Sequence, residues 1–163
     1  MTQVPVFPQA AEIERSLELL GERVGDPTPL VYARLFEMHP QMKPYFWRDV
    51  NDAIKGEMLA RTFDALLDFV GERRYADHMI ATEMITHEGY DVPREVFATF
   101  FAIIRDTTRE SLGEDWTPDL EGAWSALLAE IDGYVRNVPR VPGEGDPFKE
   151  LREKFEAGEM TAG

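Results

Sequence analysis

The sequence predicts an all-α fold of about six to eight helices. Apolar residues recur at three-then-four spacing along nearly the whole chain, Pro and Gly interrupt that pattern at helix-boundary positions, and no segment argues for a strand. Ile13, Leu17, Leu20 and Val24 line one face of a first helix that ends near Gly25. Thr28 followed by Pro29 is a start signal, because a hydroxyl caps free amides and proline costs nothing at the first helical position. A second helix therefore runs from about Pro29 to Met38.

Pro40 and Pro44 then reduce the chain to a short, turn-like stretch rich in aromatic atoms, ending in Tyr45, Phe46 and Trp47. From about Ala53 to Val70, the positions Met58, Leu59, Thr62, Phe63, Leu66 and Val70 form a long amphipathic helix with Gly71 as its stop. A shorter helical piece spans Tyr75 to Thr86. Asp91-Val92-Pro93 reads as the cap region of the most apolar segment, with Val96, Phe97, Phe100, Phe101, Ile103 and Ile104, which belongs at the centre of the fold. Gly113 closes it. Thr117-Pro118 restarts a last long helix carrying Leu120, Trp124, Leu127, Leu128, Ile131, Tyr134 and Val135.

Pro and Gly between Val138 and Gly145 mark a linker, beyond which Phe148, Leu151 and Phe155 could share one side of a short helix, frayed, docked or partner-binding. The chain thus divides into an extension at 1–9, a core domain at 10–138 and a tail at 139–163. There is no internal repeat.

At 163 residues and without cysteine, the chain is long enough to bury a core unaided by disulfides. Its formal charge of -14 repels phosphate backbones and anionic headgroups, so nucleic acid and membrane surfaces are poor partners. No apolar run approaches the ~20 residues of a membrane span, and the N-terminus lacks the pattern of a signal peptide. The expected location is the cytoplasm. Oligomeric state is not legible.

With no cysteine, the three histidines are the natural metal ligands. His39 ends a helix, where an imidazole meets the helix dipole favourably, and His78 lies among polar neighbours as an exposed residue. His87 leads into the most buried helix and faces inward. Its local setting suits a hydrogen-bonded core histidine better than a ligand. A di-iron carboxylate bundle needs a Glu three residues before each His, and none has one. Glycine-rich phosphate loops, nucleophile elbows, His-Glu-x-x-His and calcium loops are all missing from the sequence.

Three segments taken together are recognisable. Val31-Tyr32 through Tyr45-Phe46, His87-Glu88-Gly89-Tyr90-Asp91-Val92-Pro93, and Gly113 through Trp124 occur in the order and at the separations seen in bacterial globins. Over approximately Ala10 to Val138 the chain resembles those proteins and the haem domain of flavohaemoglobins. The resemblance implies a globin-like haem domain, with haem b as cofactor and His87 as the proximal iron ligand. Phe46 matches the haem-packing phenylalanine, and Tyr32 is implied as the distal donor to a bound gas. Leu59, Phe63, Val92, Phe97 and Phe100 would complete the pocket walls.

This chain departs from the family at several positions. The residue facing the gas from the third helix falls near Lys55, or Gly56 in a neighbouring alignment, where the family often has Gln or His. A lysine there would extend to a haem propionate or to solvent, since burying an unpaired ammonium is costly. Phe97 has no hydroxyl and Pro139 falls at the matching acidic position, so the His-Tyr-Glu network of strongly activated members is absent. Glu83, one turn before His87, either bonds the histidine's other nitrogen, turns outward, or signals an unusual haem arrangement.

The implied function is binding of dioxygen or another diatomic gas. An activity on nitric oxide would need an external reductase, because the chain has no room for a flavin and nicotinamide domain. Lys55 and Glu83 instead favour an alternative, a sensory or interaction module in which haem is absent or regulatory. A helical ligand-binding domain of another type is the least economical reading.

Overall fold

The computed structural model describes residues 7–138, and the linker, the tail helix and Pro139 lie outside the described residues. Six α-helices follow in order: α1 (Ala10–Val24), α2 (Thr28–Met38), α3 (Ala53–Val70), α4 (Ala76–Gly89), α5 (Arg94–Leu112) and α6 (Pro118–Asn137). Two 3-10 segments, Pro40–Phe46 and Gly113–Asp115, join α2 to α3 and α5 to α6. Among the described residues there is no strand. Nor is any helix there long and apolar enough to cross a membrane.

Several boundaries are set by side chains that local sequence does not single out. Thr28 does not cap α2 but is its first residue; Asp26 accepts hydrogen bonds from the Thr28 amide (3.0 Å) and hydroxyl (2.6 Å). The α4 amides are capped from the preceding helix, where Asp68 accepts from the backbone N–H of Arg74, Tyr75 and Ala76. The N-cap position of α5 is Pro93, and Asp91, two residues before it, has φ of 64°. Thr117 does cap α6 as its position predicts, accepting from the Leu120 amide. Gly25 and Gly113 stop α1 and α5 at positive φ, a region glycine enters without steric cost.

α5 contacts α1, α2, α4 and α6, and its Val96, Phe101, Ile103 and Ile104 are buried, as the density of its apolar stripe predicts. Phe7 is also buried in this core, so the packed unit begins before Ala10. Trp124 on α6 is inaccessible and its indole N–H donates to Ser16 Oγ at 2.9 Å, while Ser16 donates to the Ile13 carbonyl. Each buried polar atom in that chain therefore has a partner, which removes the desolvation cost of placing it there.

Candidate functional site

Between α2, α3, α4 and α5 lies a cavity of about 430 Å³, within the ~300–1,000 Å³ typical of small-molecule and cofactor sites. Of the residues that sequence reasoning nominated, Tyr32, Phe46, His87, Val92, Phe97 and Phe100 line it together. Lys55, Leu59 and Phe63 do not. The third-helix wall consists of Ile54, Glu57, Met58, Arg61, Thr62 and Ala65, a three-then-four series one face over from Leu59 and Phe63. Leu59 is instead buried in the main core, and Phe63 packs between that core and the small cluster of Leu20, Leu112 and Leu120.

Gly56 is turned away as well: a Cβ built on it would lie 3.8 Å from Thr28 Oγ1, so it faces the start of α2. Lys55 neither overhangs the cavity nor runs free into solvent. Its ammonium pairs with Asp49 at 2.7 Å and Asp52 at 2.9 Å and rests 5.5 Å from the ring centroid of Phe46.

His87 occupies the last turn of α4, which continues through Gly89 rather than ending at Thr86. The turn is closed by the His87 carbonyl, which accepts from the amides of Tyr90 and Val92. The imidazole Nδ1 stands 2.6 Å from the backbone carbonyl of Glu83. A carbonyl can only accept, so Nδ1 carries the proton, and in the neutral ring Nε2 keeps its lone pair. Among the described residues Nε2 has no hydrogen-bond partner. Glu83 thus holds the ring through its main chain, while its half-exposed carboxylate lies 3.9 Å from Nδ1. Phe97 packs on the ring with centroids 5.3 Å apart and offers it no hydrogen bond.

The corner after His87 is fixed by Arg94, which sequence reasoning missed. Its buried guanidinium takes Glu88 Oε1 with both Nε (2.9 Å) and Nη2 (2.6 Å), and Nη1 donates to the carbonyls of Val135 and Val138 at the end of α6. The signal was an arginine at the first position of the most apolar helix, one residue after the Pro, where a solvated cation is the ordinary expectation. Tyr45 braces the same corner from the other side, donating to the Tyr90 carbonyl at 2.7 Å.

Tyr32 is 2 % exposed and packs against Phe36, Phe46 and Phe100 with centroids 5.4–6.0 Å apart. Its hydroxyl is buried without a partner. Burial, with a smaller contribution from the charge of Asp49, pushes the phenol well above its ordinary range, so it is a neutral donor. His39 closes α2 with Nε2 buried and unpartnered, away from the cavity lining, and His78 is exposed. Among the described residues no cluster of three or more His, Asp or Glu could hold a metal ion.

Helix order, cavity and histidine together define an all-helical protein with one histidine facing an apolar cavity between its helices. Residues 30–134 match the family model described as Globin. The chain is also 20 % identical over 134 residues to the Globin-2 A chain of Anadara inaequivalvis, covering 77 % of this chain and 89 % of that one. The protein belongs to the globin family. Globins as a family carry haem and bind diatomic gases.

Proposed function

We propose that the cavity holds haem b through His87 and that the protein binds dioxygen, nitric oxide or carbon monoxide beside Tyr32. One observation carries this reading. Among the described residues two polar atoms of one apolar cavity have no protein partner, the buried Tyr32 hydroxyl and the partly exposed His87 Nε2, and they stand on different helices. A buried hydroxyl without a partner costs about 1–3 kcal/mol, a cost offset if a bound gas accepts its hydrogen bond.

The remaining lining suits the same cofactor. Phe46, Phe97 and Phe100 supply flat apolar contact, Val92 adds aliphatic contact, and Arg61 is the one Lys or Arg on the described wall. Arg61 is largely exposed and pairs with Glu57, a weak surface bond that a haem carboxylate can replace. Haem supplies the iron to which the gas binds. His87 contributes the lone pair of a neutral imidazole oriented by the Glu83 carbonyl, and Tyr32 contributes a proton it donates without transferring.

A backbone carbonyl is a weaker acceptor than a carboxylate, so His87 stays a neutral ligand with little electron push. That favours reversible gas binding over peroxidase-like catalysis. Conversion of nitric oxide, with an external reductase, would use the same Tyr32 and His87. Titration of the purified protein with haem tests the proposal: a Soret band in the wild type and its loss or displacement in His87→Ala is the expected result. A wild type without the band, or a variant with an identical one, overturns it.

A further inference from the structure

The turn between the 3-10 segment and α3 carries an ion pair shielded from solvent beside the cavity, and the gas site as described does not use it. Asn51 and Asp52 are both left-handed, with φ of 55° and 58°, a conformation these two residue types tolerate but that stores strain when consecutive. Asp49 counters this strain. Its side chain is fully shielded from solvent and accepts from the amides of Ile54 (2.7 Å) and Lys55 (3.1 Å) and from Lys55 Nζ (2.7 Å). The pair thereby ties the turn to the first residues of α3, including Ile54 on the cavity wall. Lys55 also lies over Phe46, and Phe46 meets Tyr32 edge-on at 5.4 Å.

We propose that Asp49 and Lys55 are positioning residues of the gas site: their ion pair fixes Phe46 and Ile54 against the cavity, and its charges set how strongly Tyr32 donates to a bound gas. The inference rests on the gas-binding reading above. The two charges act on the phenol with opposite sign. The carboxylate favours the protonated hydroxyl and weakens it as a donor, as the upward push of Asp49 on Tyr32 indicates, and the ammonium paired with that carboxylate at 2.7 Å counters its charge.

Other groups around the cavity are placed differently. Tyr45 and Tyr90 bridge at one edge, Glu57 and Arg61 pair on the α3 face, and Glu83 and His87 stand on α4. α5 contributes no charged side chain to the lining. The clasp is therefore the charge pair next to the aromatic packing of Tyr32.

The test compares wild type, Asp49→Asn, Lys55→Met and Lys55→Arg, each loaded with haem and carbon monoxide. Asparagine keeps one acceptor oxygen, for the Ile54 amide, and removes the charge together with the oxygen that accepts from the Lys55 amide and ammonium. The infrared C–O stretch, which falls as donation to the gas strengthens, is expected to move down in Asp49→Asn, up in Lys55→Met, and back towards wild type in Lys55→Arg. Oxygen dissociation is expected to quicken roughly three- to tenfold in Lys55→Met, where a loosened wall and a weaker donor act together.

Shifts of the same sign in the Asp49 and Lys55 variants, or none in either, overturn the inference. Should Asp49→Asn lose helical circular dichroism, the two Lys55 variants decide by themselves. The two readings fail separately, because loss of the gas-binding reading shows as a wild type with no Soret band. Failure of the clasp shows as a normal Soret band with an unmoved C–O stretch.

Discussion

Tyr32→Phe should have opposite consequences for the empty and the gas-bound protein. The substitution keeps the ring, its three aromatic neighbours at 5.4–6.0 Å and its 2 % exposure, and deletes one oxygen that has no partner. In haem-free protein that oxygen is desolvated without compensation, so its removal is expected to stabilise the fold by about 1–2 kcal/mol. With a urea slope of ~2 kcal/mol/M for a chain of this size, the denaturation midpoint rises by roughly 0.5–1 M. In the gas-loaded protein the same change deletes the distal hydrogen bond. An ordinary bond of ~1 kcal/mol corresponds to an oxygen off-rate about fivefold faster. The assays are urea denaturation followed by circular dichroism, and stopped-flow displacement of oxygen by carbon monoxide. A haem-free variant less stable than wild type by 1 kcal/mol or more would show that the hydroxyl is satisfied within the protein, and the argument from an orphaned donor would collapse.

Arg94→Met should cost about 2–3 kcal/mol, because Glu88 loses its bidentate partner and two α6 carbonyls lose a buried donor; a midpoint shift under 0.3 M in urea contradicts this. Ser16→Ala strands the Trp124 indole N–H in the core and is expected to destabilise by about 1–3 kcal/mol, read from the same denaturation curve. Asp68→Ala removes the cap of α4 and should cost about 1–2 kcal/mol at neutral pH. Burial alone would raise the Asp68 carboxyl, but the amides of Tyr75, Arg74 and Ala76 outweigh it and hold the group below its ordinary value. A depressed folded-state value means the contribution is complete above the unfolded pKa of ~3.9 and fades as pH falls through the folded one. The stability gap between wild type and Asp68→Ala should therefore be constant from pH 7 to 5 and narrow under acid, and a gap that widens on acidification refutes the capping role.

The helical class and most helix ends were legible in the sequence because they depend on neighbours within one or two turns. Apolar spacing defined the faces of α1, α3, α5 and α6, and Thr117-Pro118 and Gly113 marked boundaries through local backbone chemistry. The order of Tyr32, Phe46 and His87 along the chain carried the family. Which residues of α3 reach the cavity was beyond that reading. An apolar stripe broad enough to include Met58, Leu59, Thr62 and Phe63 spans two adjacent faces, and only the crossing of α3 over its neighbours decides which face meets the cavity.

Charged groups were hardest to place, since a side chain's partner is a tertiary fact. Lys55, expected to extend to a haem propionate or to solvent, is instead paired with Asp49 and Asp52, and this removes one of the two features that favoured an absent or regulatory haem. Glu83, the other, holds the histidine through a carbonyl that every residue possesses, so its identity could not reveal the bond. Arg94 drew no notice in the sequence and is a buried brace because the end of α6 delivers the carbonyls of Val135 and Val138 to it across 41 and 44 residues of chain. Periodicity and backbone chemistry are local and survive in one dimension. The pairing of charges and the choice between adjacent helix faces arise only when distant segments meet.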